Sequence, residues 1–259
     1  MANTVFDNKV IESKATDLLA TKINARSMMT IDNTLAETEG QTKTVNVYTY
    51  TGKVEKLADG AKNSTRGAIS FQGTDYKVGR VQQVFDYTDS DFQKDNSVVD
   101  VALEGANALM ANQMTADFYA ECAKAELSHE VDVMGYEPIV DAIALMNIED
   151  ESKLFVVMPT SEKANIRKDP DYKNAHMGEV VYNGQIGTVA GIPVIATNAL
   201  QNEAYVMTDE AIKLFMKKDV EVEQDRDIET KTNTVVLTSY YICALVNQNK
   251  ICRITLGNP

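Results

Sequence analysis

The chain has 259 residues, 44% hydrophobic and 24% charged, which is enough to bury one large core or two modest ones. Its formal net charge of −13 disfavours a sequence-reading nucleic-acid protein, because such proteins ordinarily carry a basic patch that neutralises phosphates. The start, MANTVFDNKVIESK, lacks the basic and apolar regions of a signal peptide, and no apolar run approaches the about 18 residues of a membrane span. The sequence therefore predicts a chain that neither spans a membrane nor carries a visible secretion signal, and no membrane partner is expected.

Few residues offer a basis for catalysis or metal binding. The two histidines, His129 and His176, lack the spacing of a metal site or a catalytic triad. The glycines Gly184, Gly187 and Gly191 do not match a nucleotide-binding pattern and are better explained as turn residues. The cysteines lack CxxC spacing, which predicts buried free thiols. They are Cys122, Cys243 and Cys252.

The first forty residues contain short amphipathic pieces but too few apolar residues for a core of their own. We therefore predict that residues 1–40 form an arm, which packs either on the rest of its own chain or on a neighbour. The apolar residues of its first part are Val5, Phe6, Val10, Ile11, Leu18 and Leu19.

Side chains alternate with period two from Thr42 to Tyr50, which predicts a strand. A polar segment, 51–67, follows, and strand-like character resumes over 68–87. Together these stretches predict a two-stranded projection with a polar tip. Because an isolated ribbon is marginally stable in water, this one needs a surface to lie on. An ordinary edge hairpin with a disordered loop is the alternative.

The stretch from Thr88 to His129 predicts one long amphipathic helix, a spine of roughly 55 Å. Ser90 and Gln93 have the spacing of a capping box at its start. His129 is expected in the last turn, where its side chain suits the free carbonyl groups. The buried stripe is expected to contain Phe92, Val99, Leu103, Ala106, Met110, Met114, Phe118 and Cys122.

In the second half, the spacing of apolar residues alternates between that of a helix and that of a strand. Short helices are predicted over 139–146 and 160–168, the second capped by Thr160 or Ser161. The apolar run LFVVM before Pro159 predicts a buried strand.

Turn signals divide the remainder into strands. Asn183-Gly184 predicts a tight hairpin turn, and Gly191 predicts a bend before a strand. The last third is strand-like except for EAIKLFMKK, residues 210–218, which is helix-like. Asn247, Gln248 and Asn249 predict a turn between the last two strands.

Carboxylates alternate near the start of the last third. On a strand, Glu221, Glu223 and Asp225 share one face and offer oxygen ligands for a hard cation. With the Asp225-Arg226-Asp227 cluster they would support a hydrolase or a transferase. Such a row is more often a solvated face or half of an intersubunit charge pairing. We therefore predict no catalytic, cofactor-binding or metal-ligating residues.

Four segments follow one another in a characteristic order and spacing: LFVVMPTSEKANIRKDPDY, VVYNGQIGTVAGIPVIATN, YVMTDEAIKLFMKKDVEVEQDRDIETKTNTV and YYICALVNQNKICRI. Together they resemble the major capsid proteins of tailed bacteriophages with the Hong Kong 97-like fold. The resemblance covers most of the chain from Thr42 onward. It implies an α+β fold with an N-terminal arm (1–40), an extended loop (41–87), a spine helix and peripheral domain (88–134), an axial domain (135–215) and strands returning to both domains (216–259).

The resemblance also implies a function. The chain would be a structural coat protein and not an enzyme, assembling with itself through hexameric and pentameric capsomers into an icosahedral shell around double-stranded DNA, without sequence-specific binding. A portal protein is an expected partner. The arm leaves no room for the built-in scaffolding domain that some relatives carry, which implies either a separate scaffolding protein as a further partner or none. Assembly in the bacterial host cytoplasm would place the chain in the virion.

The resemblance leaves open an alternative function and the question of covalent cross-links. An encapsulin-like nanocompartment shell has the same fold but encloses a cargo enzyme. Some relatives also join a lysine of the extended loop to an asparagine of a neighbouring subunit, and this loop offers Lys53, Lys56 and Lys62. We favour solvated lysines that keep the tip soluble over such cross-links.

Overall fold

The computed structural model describes residues 25–36, 39–63, 66–170 and 187–257. They form two mixed sheets, each with a helix packed on it, and a separate hairpin. In the first sheet one short edge strand is parallel to its neighbour, and the other two pairs of neighbouring strands are antiparallel. Its strands, in spatial order, are β1 (Thr30–Asp32), β10 (Ile212–Asp227), β11 (Thr232–Leu245) and β4 (Gly79–Thr88).

The second sheet has six strands among the described residues. Its central strand is the predicted run LFVVMP, and its side chains are almost all buried, as expected for a strand covered on both faces. In spatial order the strands are β5 (Ser128–Val131), β12 (Ile251–Leu256), β9 (Glu203–Thr208), β6 (Leu154–Pro159), β8 (Ile192–Thr197) and β7 (Thr188–Val189). The pairs β5·β12 and β6·β8 are parallel.

The predicted spine is two helices, α1 (Asp89–Lys94) and α2 (Val98–Cys122), and not one. The chain leaves the helical conformation at Asp95, whose carboxylate accepts hydrogen bonds from the Ser97 amide (2.9 Å) and hydroxyl (2.7 Å). Such local side-chain bonds compete with helix continuation. The predicted capping box at Ser90 and Gln93 was also wrong, because Thr88 and Asp91 form the box.

The spine helix α2 ends at Cys122, so it is about 37 Å long at 1.5 Å per residue. His129 therefore lies in strand β5 and not in a helical last turn, and its Nε2 is 3.6 Å from the Asp141 carboxylate. The predicted apolar stripe is confirmed within α2, where its members are buried against the first sheet. Among the described residues, no helix is both long and apolar enough to cross a bilayer.

Two shorter helices lie where the sequence predicts them. Helix α3 (Tyr136–Met146) packs Ile139 and Ile143 on the second sheet. Helix α4 (Lys163–Lys168) ends before Asp169 as expected. It follows a 3₁₀ turn at Thr160–Glu162 that Pro159 precedes, and neither Thr160 nor Ser161 provides the predicted side-chain cap.

The segment 210–218 was predicted to be helical and is mostly strand β10. Pairing with β1 on one side and β11 on the other satisfies its backbone groups, which outweighs the helical spacing of its apolar residues. Ile212 and Leu214 face the spine helix core, whereas Phe215 enters a small core on the opposite face of the sheet.

Turn predictions had mixed outcomes. Asn183-Gly184 lies outside the described residues. The bend at Gly191 is confirmed as a two-residue hairpin turn between β7 and β8, with positive φ at Ala190 (52°) and Gly191 (80°). The turn before β12 is a 3₁₀ turn at Gln248–Lys250.

Candidate assembly surfaces

The predicted projection is a hairpin of strands β2 (Thr42–Thr51) and β3 (Ala68–Lys77), which among the described strands pair only with each other. Its register places Tyr48 opposite Phe71 and Tyr50 opposite Ile69. Because side chains alternate along a strand, these four lie on one face, which we call the aromatic face. Their exposed fractions are 66% to 71%, and the Tyr48 and Phe71 rings are 6.2 Å apart. This face has no partner among the described residues of its own subunit.

The root of the hairpin, in contrast, is fixed to the first sheet. The Tyr76 ring stacks on Phe215 at 5.7 Å, and its hydroxyl donates to the Leu245 carbonyl at 3.2 Å. Burial raises the pKa of the Tyr76 hydroxyl. Val78 is 3% exposed in the same small core. The root of the hairpin is thus anchored in the body, whereas its aromatic face is uncovered.

The second part of the predicted arm packs on its own subunit. Ala25, Met28 and Met29 are at most 5% exposed and belong to the spine helix core. The Arg26 guanidinium lies 3.1 Å from the Asp219 carboxylate. The arm residues Val5 to Leu19 lie outside the described residues.

The spine helix has one face turned away from the first sheet. Val101 and Leu109 are 64% and 56% exposed there, a second apolar surface on the subunit. The opposite face is buried so fully that Asn107 lies at 0% exposure and donates to the Leu103 carbonyl at 2.9 Å.

Acidic side chains gather where β4 ends, α1 begins and β10 turns into β11. We call residues 86–95 and 223–231 the acidic end; they contain eight carboxylates and three basic side chains. Arg226 Nη2 lies 2.7 Å from Asp89 Oδ2, and the Asp89 amide donates to the Lys231 carbonyl at 3.0 Å. These contacts hold the two segments together.

Local hydrogen bonds keep several of these carboxylates ionised. Bonds from Thr88 lower the pKa of Asp91, and bonds from Ser97 lower that of Asp95. The Thr230 side chain and the amides of Glu229 and Thr230 lower the pKa of Asp227. The acidic end is therefore negatively charged at neutral pH.

The carboxylate row predicted on β10 does share one face, since Glu221, Glu223 and Asp225 alternate along the strand. The Lys218 ammonium lies 2.5 Å from the Glu221 carboxylate. Within the described ranges, no group of three or more His, Cys, Asp or Glu side chains is placed to hold a metal ion. The structure therefore gives no support to a metal site at these three carboxylates, which form part of an acidic surface.

The other candidate residues lie apart. All three cysteines are free and buried, as predicted, and burial raises the pKa of Cys243 to about 12 and that of Cys252 to about 11. Lys53, Lys56 and Lys62 are exposed in the hairpin tip. Gly187 is described and exposed, whereas His176 and Gly184 fall outside the described ranges.

Sequence reasoning missed the aromatic face and the acidic end. Alternation showed a strand, but only the pairing register brings Tyr48 and Tyr50 beside Ile69 and Phe71. The acidic end joins segments about 130 residues apart in sequence. A signal existed for the first, because the period-two pattern placed Tyr48 and Tyr50 on the same side of one strand.

No family model matches the chain. The major capsid protein of Staphylococcus phage phiMR11 is 23% identical over 248 residues, covering 93% of this chain and 89% of that protein. A chain from a solved structure of Gordonia phage Cozz superposes with a TM-score of 0.74 at 8% identity, covering 92% of this chain and 87% of that one. The virus-like particle of Pyrococcus furiosus gives a TM-score of 0.65 at 12% identity, covering 96% and 100%.

These likenesses establish the fold. The chain has the Hong Kong 97-like capsid fold, an α+β arrangement, as the sequence predicted. The predicted resemblance to tailed-phage major capsid proteins is confirmed by the phiMR11 relative, whose match runs almost end to end.

Proposed function

We propose that the chain is the major capsid protein of a tailed bacteriophage and assembles with itself into a closed icosahedral shell. The single observation that carries this is the hairpin, whose aromatic face is 66% to 71% exposed although the root is packed in the body. Soluble monomers rarely leave such a contiguous apolar surface uncovered. In a shell, where every subunit meets copies of itself, a neighbour covers it.

The domain roles follow from the same proposal. The projecting part of the extended loop 41–87 is the hairpin, while β4 pairs with β11 in the body. The spine helix with the first sheet makes the peripheral domain, and the second sheet with α3 makes the axial domain. Within the arm 1–40, the described residues Ala25, Met28 and Met29 pack on their own subunit.

The role is structural and not catalytic, in keeping with the name of the phiMR11 relative. The shell encloses double-stranded DNA without reading its sequence, which suits a chain of net charge −13, because an attractive inner wall would hold back a genome that must enter and leave. A portal protein and a separate scaffolding protein complete the assembly in the host cytoplasm before the chain becomes part of the virion.

An encapsulin-like compartment is the second candidate. The likeness to the Pyrococcus furiosus particle favours it, and it predicts the same shell with a protein cargo. The phage function has the broader support, because the phiMR11 relative is named a major capsid protein and the structure from Gordonia phage Cozz also carries a phage name.

Sedimentation and nuclease protection of particles separate these readings. Particles purified from the native source should sediment as megadalton shells and protect long double-stranded DNA from nuclease. Shells that contain a cargo enzyme and no DNA would support the compartment. A full-length protein that remains monomeric at high concentration, also when the scaffolding protein of the same phage is present, would contradict any shell function.

A further inference from the structure

Strand β4 forms one edge of the first sheet and is long for an edge strand. It runs over ten residues, Gly79–Thr88, whereas the other edge strands of the two mixed sheets have two to four residues. Its pairing with β11 continues from Gly79 to Thr88 without a register shift. Among the described residues, no strand pairs with its outer edge. This edge therefore presents a regular row of backbone N–H and C=O groups that have no strand partner.

Strand β4 also lacks the features that normally protect an exposed edge. Its sequence, GRVQQVFDYT, contains no proline and no lysine, and its register with β11 shows no bulge. Edge strands usually carry one of these features, because a bare edge is a template for pairing with another chain. In addition, Val84 near the middle of the strand is 45% exposed. We therefore expect another chain to cover this edge in the assembled protein.

The two faces of β4 differ in character. Val81 and Phe85 are partly buried and pack against the spine helix core. On the opposite face, Arg80 and Asp86 are exposed. Among the described residues, Arg80 forms no ion pair. The exposed face thus carries one positive and one negative charge, placed at equal distances on either side of Gln83.

The spacing of these two charges makes the edge complementary to itself. When two copies of β4 pair antiparallel about Gln83, Arg80 of each copy lies opposite Asp86 of the other. Opposite charges at directly facing positions stabilise an antiparallel pair of strands. A shift of two residues in either direction would place Arg80 opposite Val84 or Thr88 instead. The charges therefore select one register among those that keep the same face exposed.

The antiparallel direction also keeps the acidic ends of the two copies apart. The acidic end lies at the carboxyl end of β4, and in this register the two Thr88 residues are ten residues, about 34 Å, apart along the strands. That distance exceeds the Debye length of about 10 Å at 0.1 M salt. Parallel pairing would instead bring the two acidic ends side by side, where like charges repel each other.

We propose that the outer edge of β4 pairs antiparallel with β4 of a second copy across a two-fold axis, which joins two four-stranded sheets into one continuous sheet. The inference rests on the proposed shell function, because an icosahedral shell contains two-fold axes at which the same surface of two copies meets. Backbone hydrogen bonds supply the affinity, and the two pairs of Arg80 with Asp86 fix the register.

A single cysteine on the two-fold axis tests the pairing. In this register Gln83 faces Gln83 of the second copy, so two Gln83→Cys residues have Cα atoms about 5 Å apart, within the range of a disulfide. Arg80→Cys is the control, because the two copies of residue 80 lie about 20 Å apart along the strands. The three natural cysteines are buried. Assembled shells of each variant are incubated with oxidised glutathione and analysed by non-reducing gel electrophoresis.

Charge exchange gives a second measurement, which does not depend on the cysteine variant assembling. The variants are Arg80→Glu, Asp86→Arg and the combination of both. The measured quantity is the subunit concentration at which half of the chains sediment as shells, and circular dichroism checks that every variant is folded. Each single change should raise that concentration by about threefold or more, because it places like charges opposite each other. The combined variant restores opposite charges and should return towards the wild-type value.

Most Gln83→Cys chains should run as disulfide-linked dimers, and Arg80→Cys chains should run as monomers. Gln83→Cys chains that stay monomeric within closed shells, or dimers that form equally at both positions, would overturn the proposed pairing. Failure of the combined charge variant to recover would also overturn it. In these cases wild-type shells leave the proposed function intact, whereas a wild-type chain that forms no shells would count against the function itself.

Discussion

The ring of Tyr119 on the spine helix stacks on that of Tyr205 on β9, with centroids 6.5 Å apart and planes inclined by 21°. The two residues belong to different layers, since α2 packs on the first sheet and β9 lies in the second. Tyr119 is 8% exposed and Tyr205 is fully buried. This contact therefore ties the two halves of the subunit together.

Removing this contact should destabilise the subunit itself. Tyr119→Ala is expected to lower the free energy of unfolding by about 3 kcal/mol, because it leaves a cavity beside Tyr205. Tyr48→Ala is the matched control, since Tyr48 is 66% exposed and its loss should hardly change stability. Urea unfolding of dissociated subunits measures both. Tyr48→Ala should impair assembly instead, and equal stability losses in the two variants would contradict the assignment of the aromatic face to an interface.

A proline in the spine helix should prevent folding. Ala108→Pro removes a hydrogen bond and places the ring against a preceding carbonyl, which costs roughly 3 kcal/mol or more. Ala108→Ser keeps the backbone amide and should remain soluble. Yield of soluble protein and far-ultraviolet circular dichroism report the outcome. A soluble Ala108→Pro subunit that still assembles would show that the spine helix is dispensable.

Glu210 should govern part of the acid stability. Side-chain hydrogen bonds from Lys153 and Lys250 lower the pKa of its carboxyl from 4.5 to about 2. Because the folded-state pKa is depressed, the stabilisation is present above about pH 4.5 and is lost as the pH falls toward 2.

The test compares urea midpoints between pH 7 and pH 2. Glu210→Gln should be less stable than wild type at pH 7 and should lose less further stability on acidification. Glu149→Gln, at an exposed carboxyl, is the control and should follow the wild-type profile. A Glu210→Gln profile parallel to that of wild type would show that the two lysines do not stabilise the fold through this carboxylate.

Mature particles should contain no covalent links between subunits. Lys53, Lys56 and Lys62 are exposed in the hairpin tip, where solvated lysines keep a polar segment soluble. Particles boiled in detergent should run as a single monomer band. A ladder of higher bands, abolished by Lys→Arg changes at these positions, would show that they form isopeptide bonds.

The spacing of apolar residues predicted those helices and strands whose buried face is set by their own sequence. The apolar stripe of α2, the strand LFVVM and the hairpin strands each show the period of the structure they form. Residues 210–218 show the limit, because pairing with β1 and β11 overrides helical spacing in β10. The helix break at Asp95 depends on local hydrogen bonds, which the Asp95 carboxylate accepts from the Ser97 amide and hydroxyl.

Contacts between distant segments lay beyond sequence reasoning. Asp169 Oδ2 accepts from the Tyr136 amide at 2.7 Å and so caps α3 from the end of another helix. Likewise, Asp89 meets Arg226 only because β4 and β10 flank β11. The candidate surfaces are of this kind, since the acidic end exists only after the first sheet has formed.

The most direct measurement is a cryo-electron-microscopy reconstruction of particles assembled from the full-length chain. The account predicts closed icosahedral shells in which Tyr48, Tyr50, Ile69 and Phe71 of each hairpin are buried on a neighbouring copy. A chain that forms no closed shell, or a shell in which these four side chains remain exposed to solvent, would contradict it.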